Sequence, residues 1–126
     1  MSWIMILFLI AVGFLVLMPM LTMIAARRMV GTPVEEDGRG GSGDRMIYFY
    51  SPSCGPCRGM TPIIERLAQE SDRVVKVDVQ RDPETARAFH VRATPTTILV
   101  KQQRVLDVVL GAKTEKQLQN LLKQVA

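Results

Sequence analysis

The stretch from residue 48 to residue 60 reads YFYSPSCGPCRGM and contains both cysteines of the chain, Cys54 and Cys57. The residues leading into it, MIYFYS (46–51), are apolar and aromatic, which is typical of a buried strand. From Cys54 to about residue 70, apolar residues recur at spacings of three, four and seven and predict an amphipathic helix. Pro62 lies within that helix and predicts a kink. The cysteine pair is therefore expected between a strand and a helix, with Cys54 near the helix N-terminus.

A C-x-x-C pair can serve a zinc site, haem attachment, a structural disulfide or redox exchange. A structural zinc ion takes four ligands, usually Cys or His; with His90 the one histidine, a single chain cannot complete such a site, although two chains could share one. Haem attachment requires His directly after the second cysteine, where this chain has Arg58. A disulfide across two intervening residues closes so small a loop that it constrains the unfolded chain little.

Redox exchange fits the position of the pair best. At a helix N-terminus, unpaired N–H groups and the helix dipole favour a thiolate at Cys54, and the thiolate is the attacking species. Cys57, one turn later, is expected to face inward and to be shielded. Exchange then runs in two steps, in which Cys54 attacks a substrate disulfide and Cys57 resolves the mixed disulfide.

The chain after residue 70 alternates between strand and helix patterns. VVKVDV (74–79) is rich in β-branched residues and predicts a strand. Asp82 and Pro83 supply an N-cap and a first-turn proline for a short helix through about Phe89. His90 follows this helix, so we expect a surface or helix-terminal role for it.

The last part of the chain predicts a hairpin and a helix. TTILV (96–100) and VLDVVL (105–110) flank KQQR as two adjacent strands. Thr114 and Gln117 form a capping box for a final helix. Its apolar face consists of Leu118, Leu121, Leu122 and Val125. This order of elements predicts an α/β fold, a mixed sheet with helices on both faces.

The region from about residue 46 to residue 126 resembles thioredoxin over nearly its full length. The resemblance rests on several segments in the right order: CGPC at 54–57, Pro62, VVKVDV with Lys76, DP at 82–83, ATPT at 93–96 and Gly111. It implies a thioredoxin-like fold with catalytic Cys54 and Cys57 and an active-site loop that includes Gly55 and Pro56. It also implies a cis peptide bond before Pro95, with the backbone of Thr94 binding extended substrate.

The chain departs from the thioredoxin pattern at the start of the domain and at Tyr48. Thioredoxins usually have a strand and a helix before the strand that leads to the cysteines, so a trimmed, four-stranded mixed sheet is expected here. At the position of Tyr48 they have a buried Asp, which helps to move the proton of the second cysteine. A tyrosine, with a pKa near about 10, is a poor base at neutral pH.

Two residues are therefore expected to modulate the reaction. Without the acid, Lys76 loses its usual neighbour and is expected to turn outward or to meet Asp78. Tyr48 has two interpretations: plain core packing, or slower deprotonation of Cys57 that makes the protein a slower or more specialised reductant.

The N-terminal segment is almost wholly apolar and has no charged side chain from residue 2 to residue 26. Residues 3–26 as a helix span about 36 Å, enough to cross a hydrocarbon layer of about 30 Å. A signal peptide has a shorter apolar stretch of about 7–15 residues after a basic start. An uncleaved transmembrane helix over residues 1–26 is therefore preferred, although Ala25 and Ala26 leave cleavage open.

The segment of residues 27–44 contains five glycines, a proline and mixed charge, which predicts a flexible tether before a domain at residues 45–126. Arg27 and Arg28 directly follow the apolar helix, and no Lys or Arg precedes it. Because basic flanks tend to stay cytoplasmic, the soluble domain is predicted on the cytoplasmic side, with the periplasmic or extracellular side as the alternative.

The charge composition of the domain limits the classes of molecule that it is expected to bind. Residues 45–126 contain 13 basic and 8 acidic residues, scattered without a dense run, so no nucleic-acid surface is expected. The prediction is a single-pass, membrane-tethered protein-disulfide reductase that acts on protein disulfides and is supplied by an unidentified electron donor. No metal or organic cofactor is expected, since the dithiol is itself the redox centre. The alternative is a thioredoxin-fold adaptor without turnover.

Overall fold

The computed structural model describes residues 1–28, 30–34 and 43–126, with the backbone alone for Ala26. Within these described residues, four helices and four strands follow one another in the predicted order. Their bounds are α1 Ser2–Arg27, β1 Arg45–Tyr50, α2 Gly55–Glu70, β2 Val74–Asp78, α3 Pro83–Ala88, β3 Thr96–Lys101, β4 Arg104–Leu110 and α4 Glu115–Gln124.

Within the described residues the strands form one mixed sheet in the order β2-β1-β3-β4. β1 is parallel to β2 and antiparallel to β3, which in turn is antiparallel to β4. The parallel pair is joined through α2, as a parallel connection requires, and the antiparallel pair β3–β4 is joined by a hairpin. The predicted four-stranded α/β architecture is confirmed.

The sheet buries a different set of side chains on each face. On one face, the sheet residues Met46, Tyr48 and Leu99 pack against Ile64 of α2 and Leu118 of α4. The other face packs against α3 and its following loop; its buried members include Ile47, Phe49, Ile98, Ala86 and Phe89. This alternation along β1 is the period of two that a strand imposes when both of its faces are covered.

The local signals at element ends act as the sequence predicted. The Asp82 carboxylate accepts a hydrogen bond from the Thr85 N–H at the start of α3, and the capping box of Thr114 and Gln117 begins α4. The exposed His90 has φ +54° directly after α3, and its N–H donates to a carbonyl in the last turn of that helix. His90 therefore has the helix-terminal position that was expected.

The helix α1 is long and apolar enough over Ser2–Ala25 to cross a membrane, and none of that window is buried inside the protein. A signal sequence near the N-terminus would satisfy the same criteria. Pro19 lies inside the helix, where the Thr22 hydroxyl donates a hydrogen bond of 2.8 Å to its carbonyl. Length and composition are thus those of a membrane span.

Part of the segment expected to be a flexible tether is bound to the sheet. Gly31 N–H donates to Val105 O at 2.7 Å, Val105 N–H donates to Thr32 O at 3.0 Å, and Val34 N–H donates to Gln103 O at 2.8 Å. Val34 also packs against the apolar cluster on the α3 face. The segment binds here because β4 is an edge strand, and the backbone N–H and C=O groups on the outer side of an edge strand need hydrogen-bond partners. The remaining residues of the expected tether include 29 and 35–42, which lie outside the described residues.

Candidate redox site

The two cysteines form a disulfide with their Cα atoms 5.3 Å apart. Their exposure differs sharply: Cys54 is half-buried, whereas only 1% of Cys57 is exposed. Cys57 faces inward from the first turn of α2, on the same side as Met60 and Ile64. An outside group therefore reaches Cys54 far more readily than Cys57, as the sequence predicted.

Cys54 is the N-cap residue of α2, with extended backbone angles and no side-chain hydrogen bond across the cap. A proline occupies the first turn, where its missing N–H costs nothing. That proline is Pro56, and like Gly55 it is exposed. The helix N-terminus supplies partial positive charge directly at the Cys54 sulfur, which stabilises a thiolate there once the disulfide is reduced.

A hydrogen-bonded loop holds Cys54 in place after β1. Cys54 N–H donates to Ser51 O at 3.0 Å, which closes a tight turn. The hydroxyls of Ser51 and Ser53 are 2.9 Å apart, and the Gln80 amide donates to both. Gln80 thus ties the loop before Cys54 to the end of β2, a contact that the sequence analysis did not anticipate.

Pro95 lies at the same end of the sheet as the cysteines, with a cis peptide bond to Thr94. Phe49 near the end of β1 is paired with Thr96 at the start of β3. Pro95 directly precedes that start, and Cys54 follows the end of β1 by four residues. Pro95 is buried and Thr94 is half-buried. The cis bond that the resemblance implied is therefore present, at the end of the sheet expected for it.

Gly111 supports this loop from the neighbouring strand. Its N–H donates to Pro95 O at 3.0 Å, and its φ of +85° is in the left-handed region that glycine adopts without strain. The Thr96 hydroxyl donates to Ala93 O at 2.7 Å. Both bonds hold the proline loop in a defined shape.

Tyr48 is fully buried beneath the start of α2. Its hydroxyl lies 3.2 Å from the Thr61 hydroxyl and 3.4 Å from Cys57 O, and its ring stacks on Tyr50. Thr61 itself donates to Cys57 O at 2.8 Å. The phenol is thus bonded to the backbone of the shielded cysteine, and plain core packing accounts for its ring.

Burial raises the pKa of Tyr48 above its usual value of 10.0, an effect that the hydrogen bond with Thr61 partly offsets and the neighbouring Tyr50 reinforces. A phenol with a raised pKa stays protonated at neutral pH and cannot take up a proton from Cys57. The structure therefore agrees with the expectation that residue 48 does not act as a base.

Lys76 is turned outward and its ammonium is 3.3 Å from the carboxylate of Glu65 on α2. The alternative expectation, a contact with Asp78, is wrong, because Asp78 is turned toward the loop after β2. There its carboxylate accepts from the Gln80 N–H at 2.9 Å and lies 3.9 Å from the guanidinium of Arg81. Lys76 and Asp78 are two positions apart and therefore lie on the same face of β2, but Asp78 at the strand end bends toward its own loop.

An open groove of about 440 Å³ leads to Cys57 from the side of α2. Its walls include Tyr50, Arg58, Asp78 and Arg81 as well as Cys57 itself. The shielded cysteine thus borders a groove whose walls carry both charge signs, although its own surface is almost closed. Among the described residues, no group of three or more His, Cys, Asp and Glu side chains is placed to hold a metal ion.

Comparison with known proteins agrees with this geometry. The family model for thioredoxin matches residues 39–124. The chain belongs to the thioredoxin family. Thioredoxin from Bacillus subtilis is 35% identical over 79 residues, which are 60% of this chain and 76% of that protein. Thioredoxin 1 from Synechococcus elongatus is 36% identical over 80 residues, with 61% and 75% covered.

Solved structures of thioredoxins also resemble this chain. The reduced thioredoxin pre-protein of Schistosoma mansoni matches with a TM-score of 0.59 at 30% identity, over 68% of this chain and 81% of that one. The thioredoxin of Fasciola hepatica matches with a TM-score of 0.59 at 30% identity, over 71% and 86%. Thioredoxins are disulfide reductases, and this family member retains their cysteine pair as its redox-active disulfide. It is therefore a thiol–disulfide oxidoreductase.

Several residues around the site of this thioredoxin-family chain were missed by sequence reasoning. Thr61 and Gln80 are the main ones, since each bonds to the backbone or loop of a cysteine. The signal for Thr61 was its spacing of four residues after Cys57, which places a hydroxyl against the carbonyl of Cys57 in a helix. Gln80 had no local signal, because its partners lie 29 and 27 residues away in the chain.

Proposed function

We propose that this protein is a membrane-tethered thiol–disulfide oxidoreductase that exchanges disulfides with protein partners through Cys54 and Cys57. The observation that carries the proposal is the unequal exposure of the two sulfurs in one disulfide at a helix N-terminus. An accessible nucleophile and a shielded resolving thiol are what two-step exchange requires. The apolar helix α1 supports membrane attachment by its length and composition.

The proposed reaction starts from the reduced dithiol. The Cys54 thiolate attacks one sulfur of a substrate disulfide, which forms a mixed disulfide and expels the other substrate sulfur as a thiolate. Cys57 then loses its proton and attacks the Cys54 sulfur, so that the Cys54–Cys57 bond forms and the substrate bond breaks. Two electrons and two protons pass to the substrate in total. A separate donor must reduce the Cys54–Cys57 disulfide again.

The cis-proline loop has the proposed role of substrate binding. Pro95 and Thr94 shape the groove, and the Thr94 backbone pairs with an extended substrate segment. Gly55 and Pro56 tune the loop between the cysteines: neither brings a charged or bulky polar side chain between substrate and sulfur.

Trapping of the mixed disulfide tests the assignment of the two sulfurs. The full chain in detergent micelles, carrying Cys57→Ser, is expected to accumulate covalent complexes with a disulfide-bonded protein such as insulin, since Cys54 attacks but nothing resolves. The matched variant Cys54→Ser should form almost none. Complexes of equal yield from both variants would contradict the division of roles.

Turnover separates the proposal from a non-catalytic adaptor. The full chain should catalyse reduction of insulin by dithiothreitol, whereas Cys54→Ser should run at the background rate. Equal rates for the two would favour an adaptor that retains the fold without the chemistry.

We place the domain at residues 45–126 on the cytoplasmic side, on the basis of Arg27 and Arg28 after the apolar helix. A membrane-impermeant maleimide added to intact cells is expected to label Cys54 only after lysis. Labelling without lysis would assign the domain to the periplasmic or extracellular side.

A further inference from the structure

The end of α1 is connected to the sheet over a very short distance. The helix ends at Arg27, and Gly31 is already hydrogen-bonded to Val105 in β4. Four residues span at most about 14 Å. If α1 crosses a bilayer, as proposed above, the edge of the domain formed by β4 therefore lies at the membrane surface and not at the end of a long tether.

A cavity of about 420 Å³ lies at this junction, between the last turns of α1 and the α3 face of the sheet. One wall consists of Thr22 and Ala25 in α1. The opposite wall is apolar and includes Val91 after α3 and Val108 and Leu110 in β4. Because Thr22 and Ala25 belong to the final turns of the span, the cavity is at the level where lipid headgroups join their acyl chains.

Among the described residues, the charged side chains that line the cavity are two guanidinium groups. Arg28 and Arg92 line it together with His90, and all three are exposed. Of the described residues that line this cavity, none is acidic. Guanidinium groups bind phosphate through paired, charge-assisted hydrogen bonds, so the polar side of the cavity suits a phosphate group.

Exposed apolar side chains are also found close in sequence to residues of the cavity. Leu110, which lines the cavity, is 43% exposed, Leu106 in the same strand is 40% exposed, and Val30, two residues after Arg28, is 45% exposed. Apart from α1 and Met1, these are the most exposed large apolar side chains among the described residues. Apolar side chains beside cationic ones complement a molecule with an anionic head and an apolar body.

We propose that this cavity binds an anionic phospholipid, with the lipid phosphate against Arg28 and Arg92 and the upper part of an acyl chain against Val91, Val108 and Leu110. The bound lipid holds the domain on the bilayer in one orientation. Since Ala93 also lines the cavity and is two residues before Pro95, the proline loop is then close to the membrane surface. The proposal rests on the membrane attachment proposed for α1.

Hydrogen exchange of the full chain in lipid nanodiscs tests this site. Nanodiscs of phosphatidylcholine with a rising fraction of phosphatidylglycerol are compared, and exchange is followed in peptides covering residues 89–96 and 105–111. We expect exchange in both peptides to slow as the anionic fraction rises. Inorganic phosphate added to pure phosphatidylcholine discs should leave exchange unchanged, because the free ion lacks the apolar part of the ligand.

Charge variants identify the residues responsible. In Arg92→Gln, the phosphatidylglycerol fraction that gives half of the slowing should rise about fivefold, as expected for the loss of one cation near anionic lipid. Lys116→Gln removes the same charge from an exposed position on α4, which packs on the other face of the sheet, and should leave that fraction unchanged. Unchanged exchange in the β1 peptide of both variants verifies the fold.

Three results would overturn the lipid site: exchange that is independent of phosphatidylglycerol, the same slowing with inorganic phosphate alone, or equal behaviour of the two charge variants. If the chain does not enter nanodiscs at all, the membrane attachment fails and the lipid site fails with it. If it enters but shows one of the three results, only the lipid site is wrong.

Discussion

At the scale of single residues, Tyr48 has the largest consequence for the chemistry. It places a phenol where the resemblance to thioredoxin implies a buried carboxylate, and its hydroxyl is bonded to Thr61 and to the Cys57 carbonyl. The proton of Cys57 must then leave by another route, for example to water in the groove that borders it. The slow step of exchange is therefore expected to be the resolution by Cys57.

We predict that Tyr48→Asp accelerates exchange near neutral pH. A carboxylate at this position can accept the Cys57 proton, and we expect a gain on the order of tenfold, below the ~100-fold that a well-positioned general base supplies. Rates of insulin reduction across pH, with Tyr48→Asn as the non-ionisable control of equal size, measure the gain. No difference between the Asp and Asn variants near neutral pH would contradict a role of residue 48 in proton transfer.

The raised pKa of Tyr48 also predicts how stability depends on pH. Since the folded pKa is above the unfolded value of about 10, the folded protein keeps its phenol proton more tightly than the unfolded chain. The stabilisation is fully present below pH of about 10 and is lost as pH rises through the folded pKa.

Comparison with Tyr48→Phe isolates this effect. The stability difference between the original chain and the Phe variant should be constant up to pH of about 10 and should then shift in favour of the variant. Denaturant unfolding of both proteins at a series of alkaline pH values measures the difference. A constant difference across the whole range would show that Tyr48 titrates as it does in the unfolded chain.

At the scale of elements, the short helix α4 depends strongly on the hydrogen bonds of its first turn. It has ten residues, and isolated helices shorter than about 12–15 residues are marginal in water. Its capping box supplies partners for the exposed N–H groups of Thr114 and Gln117. Leu118 then anchors the helix in the cluster around Tyr48 and Met60.

We predict that Thr114→Ala lowers the free energy of unfolding by about 1 kcal/mol, the usual cost of losing an N-cap. Gln119→Ala, an exposed position in the same helix, is the control and should change stability little. Denaturant unfolding of both variants gives the comparison. A Thr114→Ala variant as stable as the control would mean that packing of Leu118 alone holds the helix.

At the scale of the whole molecule, the strand-like segment at Gly31–Val34 decides how the apolar helix and the redox domain are joined. It covers the exposed edge of β4 and leaves only a few residues between α1 and the sheet. The domain is therefore bound close to the helix and, with α1 in a membrane as proposed, its cysteine pair has a limited reach from the membrane.

We predict that Gly31→Pro releases this segment. Proline has no N–H to donate to Val105 O and cannot adopt the φ of +84° found at residue 31. Hydrogen exchange in the peptide covering residues 103–110 should become faster, while exchange in the β1 peptide should not change. Unaltered exchange at residues 103–110 would mean that the edge of β4 is protected without this segment.

Local patterns in the sequence were sufficient to predict the order of the helices and strands, the helix caps and the position of the redox pair. Strand and helix periods, the Thr114 capping box and the position of Cys54 before a helix depend on residues within a few positions of one another. The membrane-span character of α1 is likewise a matter of length and composition. The resemblance to thioredoxin added the cis bond before Pro95, which periodicity alone cannot indicate.

Only the tertiary structure decided which distant groups meet. It paired Lys76 with Glu65, bonded Gln80 to the loop before Cys54, and bound Gly31–Val34 to β4. It also formed the cavity between α1 and the sheet. These contacts join residues that are from 11 to more than 70 positions apart, and they depend on how strands and helices are arranged in space. The redox chemistry could thus be predicted from a short stretch of sequence. How the redox site is held by the rest of the molecule depended on long-range packing, which local sequence patterns do not determine.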